Sequence, residues 1–298
     1  MQRLTLALPG NEELAHRLAQ ACGSEVGHIE MRRFPDGESY VRVHGDPAGR
    51  TVDLVCTLAR PDPQFLSLVF AADAARELGA SEVNLVAPYL AYMRQDKRFQ
   101  DGESVTSLSF ARLVSSTFDK LLTVDPHLHR HPTLSAVYTI PTTTLHAAPL
   151  MADWIAQHVD RPLIVGPDEE SEQWAGAIAA RIGAPHAVLK KTRHGDRSVD
   201  IAAPDLSAWR DHTPVLVDDI ASSGRTLVMA ARKLVEQGMR QPECAVVHAL
   251  FAEDAWTQLV PMFSRITSTD AVPHPSNGIG LASLFANALL DGQTDPRG

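Results

Sequence analysis

The sequence predicts an α/β protein made of two similar domains with mainly parallel sheets, and three observations carry that prediction. Short apolar runs bounded by turn residues alternate with longer amphipathic stretches along the whole chain, the pattern of repeated βαβ units. Comparable numbers of strand-like runs fall before and after residue 145. The chain has 298 residues, of which 44% are apolar and 21% charged. At roughly 150 residues per domain, that length gives two globular units, each able to bury a core of its own.

Taken in order, the strand-like segments are Leu4–Leu8, Thr51–Thr57, Glu82–Ala87 and Lys120–Val124, then Leu163–Val165, His186–Leu189, Pro214–Val217, Ala245–Leu250 and Arg265–Ser268. Helix starts stand between them. Asn11 precedes Glu12 and Glu13, Asp62 precedes Pro63, and Ser104 precedes Val105–Ser116. Gly79, Gly183 and Gly238 close helices expected at Gln64–Leu78, Glu172–Ile182 and Leu227–Gln237. The segment Ile140–Ala148 is the expected crossing between the two sheets. In open sheets of this kind ligands bind beyond the carboxyl ends of the strands, so the loops there hold the chemistry.

Composition narrows the function. With 36 acids against 27 bases the net charge is −9, which disfavours a non-specific nucleic-acid binder. The bases are grouped locally, at Arg32 and Arg33, at Arg94, Lys97 and Arg98, and at Lys190, Lys191 and Arg193. Such grouping in an acidic chain suits a small phosphorylated ligand. No apolar stretch is long enough for a membrane span or a signal peptide, and the three cysteines form no CxxC pair. The expectation is a cytoplasmic protein without disulfides.

The sharpest local signal is Val215-Leu-Val-Asp-Asp-Ile-Ala-Ser-Ser-Gly-Arg-Thr-Leu227. A hydrophobic strand ends in two adjacent carboxylates, Asp218 and Asp219, and a small-residue turn then opens a helix. Adjacent carboxylates repel unless hydroxyl donors or a cation offset them. The turn Ser222-Ser-Gly-Arg-Thr226 supplies backbone N–H groups, hydroxyls and a helix N-terminus, which together cradle an anion. Acids for sugar hydroxyls followed by a nest for phosphate outline a ribose-5-phosphate site; the structural alternative is a strand-to-helix turn with aspartate caps.

Val217-Asp-Asp-Ile-Ala-Ser-Ser-Gly-Arg-Thr226 resembles the phosphoribosyl-diphosphate loop shared by type I phosphoribosyltransferases and ribose-phosphate pyrophosphokinases. Four more segments, in the same order as in the pyrophosphokinases, select the latter family: Phe34-Pro-Asp-Gly-Glu38, Pro88-Tyr-Leu-Ala-Tyr-Met-Arg-Gln-Asp96, Val124-Asp-Pro-His127 and Lys190-Lys-Thr-Arg193. The resemblance runs from about Leu4 to near Leu290 and implies a type I phosphoribosyltransferase-like fold in both domains. It also implies transfer of the β,γ-diphosphoryl group of ATP to ribose 5-phosphate. The domains expected on this basis are 1–144 on the ATP side and 145–280 on the ribose-5-phosphate side, with a terminal helix at 281–298 packing back on the first.

Residue roles follow from the same resemblance. Phe34, Asp36, Gly37, Glu38, Arg94 and Gln95 bind ATP, the first four across a subunit boundary. Read bare, FPDGE is a good turn and Arg94 a surface cation. Lys191 and Arg193 are the catalytic pair, and their i, i+2 spacing lets both lean to one side of an extended backbone. Arg193, Asp218, Asp219, Ser222, Ser223, Gly224, Arg225 and Thr226 bind ribose 5-phosphate. His127 and Asp168 are associated with Mg²⁺, a hard ion that prefers oxygen; Asp168 equally suits a helix cap. His127, His129 and His131 form HxHxH, which read bare suggests zinc, but no cysteine or matching carboxylate is near in sequence.

The chain departs from the family pattern at three places. Glu169, Glu170 and Ser171 follow Gly166-Pro-Asp168 where many members have glycine-rich stretches, and Arg225 stands where glycine is common. Phe99-Gln-Asp-Gly-Glu103 lacks the basic form of phosphate-activated members, so weak or absent control by phosphate and ADP is expected. The resemblance further implies a homo-oligomer built from dimers, with a hexamer as the larger form. A phosphoribosyltransferase and a catalytically silent regulatory homologue are the alternatives. The first has no use for the RQD and Lys-x-Arg segments, and the second would be expected to have lost Lys191, Arg193, Asp218 or Asp219.

Overall fold

The computed structural model describes residues 2–128, 130–194, 198–252 and 254–291, the side chains of 191–201 excepted. The chain divides into two compact units, Met1–Leu145 with Leu281–Gly298, and His146–Gly280.

The first unit opens with β1 (Arg3–Ala7), α1 (Glu12–Cys22) and β2 (Glu25–Val26), followed by an antiparallel hairpin of β3 (His28–Arg33) and β4 (Ser39–His44). Then come β5 (Thr51–Val55), α2 (Asp62–Glu77), β6 (Glu82–Ala87), α3 (Thr106–Thr117), β7 (Lys120–Val124) and β8 (Thr142–Leu145). Its six-stranded sheet has the order β2-β1-β5-β6-β7-β8, and every pairing is parallel. Strands this apolar are buried on both faces, as parallel sheets require. One face carries Leu4, Leu6, Leu8, Val52, Leu54, Val83, Leu85 and Leu121 against Leu68, Ala72, Phe110 and Val114 of α2 and α3. Each such leucine, fully buried, contributes about 2 kcal/mol. The chain's last helix, Ala282–Asp291, is counted with this unit and packs on α1.

The second unit runs α4 (Ala148–His158), β9 (Pro162–Gly166), α5 (Glu172–Ile182) and β10 (His186–Val188), then a hairpin of β11 (Lys190–His194) and β12 (Ser198–Ala202). It continues with β13 (Thr213–Ala221), α6 (Arg225–Glu236), β14 (Glu243–Ala249), α7 (Ala255–Leu259), β15 (Arg265–Thr269) and β16 (Asn277–Ile279). Its sheet is again six-stranded and parallel, in the order β10-β9-β13-β14-β15-β16. The two units therefore repeat one topology. In each, the second strand lies outside the first, and an antiparallel hairpin is inserted before the third. The fold is the two-domain, mainly parallel, type I phosphoribosyltransferase-like α/β architecture.

Every strand expected from sequence is present, and the helix closures at Gly79, Gly183 and Gly238 all have positive φ, at 92°, 66° and 80°. Three expected helix starts differ. Asn11 does not cap α1: its amide donates to the Leu8 carbonyl at 3.1 Å, and its Oδ1 accepts from the Thr57 N–H at 2.7 Å. Helix α2 begins at Asp62 itself, whose carboxylate instead accepts the Tyr92 hydroxyl proton. Helix α3 starts at Thr106, two residues past Ser104, because the Ser107 N–H donates to the Gln95 carbonyl and anchors the first turn there. The segment 140–148, expected as a plain crossing, contains strand β8 paired to β7. Among the described residues no helix is long and apolar enough to cross a membrane, and all three cysteines are free thiols.

Candidate functional site

In each sheet the chain reverses its direction of strand addition between the first and third strands, the place where open α/β sheets bind ligands. In the second unit these are β9 and β13, adjacent and in register from Pro162 beside Thr213 to Val165 beside Leu216. β13 does not end at its two carboxylates as the sequence suggested but runs on to Ala221, held by its pairing with β14; Asp218 and Asp219 stand near its carboxyl end, and Asp168 follows β9 close enough for its charge to act on Asp218. Burial of the Asp218 carboxyl, and then the nearby charges of Asp219 and Asp168, hold it well above the usual carboxylate range. The Asp219 N–H donates to Asp218 Oδ1 at 3.0 Å, so the first carboxylate is oriented by the backbone of the second.

The turn after β9 is tight. A Cβ on Gly166 would come within 2.5 Å of Ser171 Oγ. That hydroxyl donates to the Asp168 carbonyl at 2.5 Å and accepts from the Asp168 N–H at 3.3 Å. Asp168 thus stands at the start of a single 3₁₀ turn, Glu169–Ser171, that leads into α5. Glu169 and Glu170, the departure noted in the sequence, are accommodated as exposed residues of that turn.

The turn after β13 is shaped by Gly224. It has φ 69° and ψ −3°, and a Cβ there would meet Leu259 Cδ1 at 2.8 Å and Cγ at 3.0 Å. Both the left-handed backbone and the contact with a fully buried leucine demand glycine. Gly224 opens α6, whose first backbone bond runs from the Val228 N–H to the Gly224 carbonyl at 2.9 Å. The first turn of α6 follows Ser222 and Ser223 and contains Thr226, so the helix N-terminus and three hydroxyls share one loop. The Ser222 carbonyl accepts the Ala252 N–H at 3.0 Å, and the Ala221 carbonyl accepts those of Leu250 and Phe251 at 3.1 and 2.9 Å. The loop is therefore braced from β14 and the segment after it. Arg225 and Ser223 are exposed.

The first unit closes the matching place. There Asn11, from the loop after β1, accepts a hydrogen bond from the Thr57 N–H after β5, and its side chain is buried. One topology thus gives two different ends: an acidic one with an anion cradle, and a self-satisfied one. In the sequence this role of Asn11 leaves no signal beyond an asparagine four residues past a strand.

The inserted hairpins carry the other expected residues. Phe34, Asp36, Gly37 and Glu38 form the exposed tip between β3 and β4. The Phe34 N–H donates to the Glu38 carbonyl at 2.8 Å, the Gly37 N–H to the Phe34 carbonyl at 2.9 Å, and the Glu38 N–H to Asp36 Oδ1 at 3.1 Å. Arg33 braces the tip by donating to the Gly37 and Pro63 carbonyls, both at 2.9 Å. Arg32 lies over the rings of Phe34 and Tyr40, 4.6 and 4.2 Å from their centroids. This leaves Phe34 held upright and 39% exposed. In the second unit the equivalent hairpin places Lys191 opposite Ile201 and Arg193 opposite Val199. Lys191 and Arg193 sit two apart on one face of β11; their side chains lie outside the described residues.

Arg94 is exposed in the loop after β6, and Gln95 accepts from Thr106 at 3.3 Å at the start of α3. The neighbouring Asp96 is buried and ion-paired to Arg130 at 2.9 Å. His127 lies in the loop after β7, behind Asp125, which has φ 37°. His131 is half-buried, and His129 lies outside the described residues. Among the described residues no group of three or more His, Cys, Asp or Glu is arranged to hold a metal ion; the zinc alternative for HxHxH includes His129 and so lies partly outside the described residues. His127 belongs to the first unit and Asp168 to the second.

Comparison with known proteins agrees with this anatomy. Residues 4–117 match the family model for the N-terminal domain of ribose phosphate pyrophosphokinase, and residues 133–258 match the phosphoribosyl transferase domain. The chain is 37% identical over 290 residues to a ribose-phosphate pyrophosphokinase of Methanopyrus kandleri, covering 96% of this chain and 98% of that one. It is 32% identical to that of Methanosarcina acetivorans, covering 94% and 97%. The crystal structure of phosphoribosylpyrophosphate synthetase from Mycobacterium smegmatis superposes with a TM-score of 0.83 at 23% identity, over 98% of this chain and 100% of that one, which shows the shared fold.

Proposed function

This chain belongs to the ribose-phosphate pyrophosphokinase family, and from that premise we propose that it transfers the β,γ-diphosphoryl group of ATP to the C1 hydroxyl of ribose 5-phosphate. The products are 5-phospho-α-D-ribose 1-diphosphate and AMP. The observation that carries this reading is the junction of β13 and α6: paired carboxylates near the end of β13, a glycine that turns the chain, and a helix N-terminus, beside a third carboxylate from the turn after β9.

The division of labour follows from the residues. Asp218 and Asp219 accept hydrogen bonds from the vicinal ribose hydroxyls. Ser222, Ser223, Gly224, Arg225 and Thr226 hold the 5-phosphate with hydroxyls, backbone N–H groups and one guanidinium. Phe34, Asp36, Gly37, Glu38, Arg94 and Gln95 hold ATP: the ring stacks on the base, the acids and amide read its edge, and Arg94 meets phosphate. The C1 hydroxyl attacks the β-phosphorus in line and AMP leaves. Lys191 and Arg193 lie against the charge that develops on the transferring group, and this stabilisation together with positioning supplies most of the rate.

Burial, and then the charges of Asp219 and Asp168, raise the proton affinity of Asp218, and a hard cation such as Mg²⁺ would relieve that repulsion. Within the second unit Asp168 would help to hold Mg²⁺, and within the first unit His127 would, through a water. When bound, the ion neutralises phosphate oxygens. The reading extends to a cytoplasmic homo-oligomer in which the exposed FPDGE tip, braced by Arg33, meets another copy of the chain; light scattering of the purified protein tests the assembly.

The activity is tested with ATP labelled at the β-phosphorus. Label that follows the sugar into an acid-labile diphosphate, with stoichiometric unlabelled AMP, supports the reaction. Label retained in ADP would refute it.

A further inference from the structure

Beside the phosphate loop lies a cavity of about 330 Å³ lined by Ser223, Arg225, Ala252, Asp254 and Gln258. We propose that its far wall, Asp254 and Gln258, selects the substituent at C5 of the sugar: Gln258 binds a phosphate monoester, and Asp254 both aims Gln258 and limits the charge the pocket accepts. The proposal rests on the ribose-5-phosphate reading above.

The wall is fixed to the loop at two points. The Ala252 N–H bonds the Ser222 carbonyl at 3.0 Å, and Leu259, one residue after Gln258, is the side chain that packs under Gly224. Within the cavity, Gln258 Nε2 donates to Asp254 Oδ2 at 2.7 Å. A carboxylate only accepts, so the amide nitrogen must face Asp254 and the orientation of the amide is decided by chemistry. Its second N–H is then left for an occupant, alongside the Ser223 hydroxyl and the Arg225 guanidinium. For Arg225 no ion pair or hydrogen bond is found among the described residues. Three donors of this kind recognise a tetrahedral anion.

The carboxylate of Asp254 opposes the same anion. One guanidinium against one carboxylate tolerates a monophosphate and penalises a group of higher charge, such as a diphosphate at C5. This is selection by a repulsive element as well as an attractive one. The two wall residues therefore have opposite expected effects, which a merely structural role of α7 does not produce.

The test is steady-state kinetics of the full chain with ATP, Mg²⁺ and ribose 5-phosphate. Gln258→Leu removes the donor and raises KM for ribose 5-phosphate about tenfold, the loss of one hydrogen bond to a charged group. KM for ATP and the Tm stay at wild-type values. Asp254→Asn keeps an acceptor for Gln258 but removes the charge, and lowers KM for ribose 5-phosphate below wild type. A Gln258→Leu protein with unchanged KM, in the presence of wild-type activity, overturns the proposal and leaves the activity reading standing. If Asp254→Asn raises KM as Gln258→Leu does, charge selection is refuted. A wild type that forms no phosphoribosyl diphosphate overturns both the activity reading and the proposal.

Discussion

Replacing Gly224 by alanine tests how the anion cradle is built. The residue has φ 69°, where a side chain costs about 1–2 kcal/mol in backbone strain. The new Cβ also falls 2.8 Å from Leu259 Cδ1 and 3.0 Å from Cγ, and Leu259 is fully buried, so it cannot swing into solvent. Overpacking of this kind adds about 1–3 kcal/mol. The sum, about 2–5 kcal/mol, is read from urea denaturation midpoints at constant slope. Because α6 must move off its floor, KM for ribose 5-phosphate rises while KM for ATP holds. The steric part separates in a double-mutant cycle. Leu259→Ala alone is destabilising by about 2–5 kcal/mol, but in its presence Gly224→Ala loses the clash and keeps only the backbone strain. Strict additivity of the two changes, or a Gly224→Ala protein as stable as wild type, refutes the reasoning.

Other outcomes follow from the same geometry. Asp218→Asn abolishes turnover yet stabilises the ligand-free protein near neutrality. A carboxyl raised in the folded state binds its proton there first, so the wild type loses stability as pH rises above about 4, and the amide does not. Scanning calorimetry across pH checks the sign, and Mg²⁺ should raise the Tm of the wild type but not of Asp218→Asn. Lys191→Ala lowers kcat by about 10²-fold or more with KM for ATP little changed, as measured by AMP release. His274 packs between Phe251 and Trp256, with ring centroids at 4.6 and 4.5 Å, and its Nδ1 accepts from the Ser276 N–H at 3.2 Å, so it is neutral when folded. Burial holds its pKa below 6.5, and the unfolded chain therefore takes up the proton first as pH falls. Stability present above that pH is lost below it, and His274→Phe should flatten this part of the profile.

The repeated topology was legible because each strand of both sheets is an apolar run framed by turn residues, and parallel strands buried on both faces leave that trace. The inserted hairpins were legible only as a turn between strands at Phe34–Glu38 and as a basic hairpin after Lys190, without strand bounds. Their segments, His28–Arg33 with Ser39–His44 and Lys190–His194 with Ser198–Ala202, are polar on one or both faces and pair only with each other. The site loop was legible from Asp218 to Thr226, since local residue types carry both its charge pattern and its turn. The reason for glycine at 224 was not, because it lies 35 positions away in sequence, at Leu259. Asn11 misled for a related reason: asparagine before acidic residues reads as a cap, and only the pairing of β1 with β5 brings Thr57 close enough to claim it. Long-range register decides such contacts, and a local pattern carries no trace of it.

The central claim is that the acidic end of β13 and the hairpin pair serve diphosphoryl transfer. The most direct measurement is ³¹P NMR of the protein with ATP, ribose 5-phosphate and Mg²⁺, run beside Lys191→Ala. Resonances of AMP and of a diphosphate attached at C1, absent with Lys191→Ala, are the predicted result. ADP with a singly phosphorylated C1, or no turnover while ATP still binds, would contradict the account.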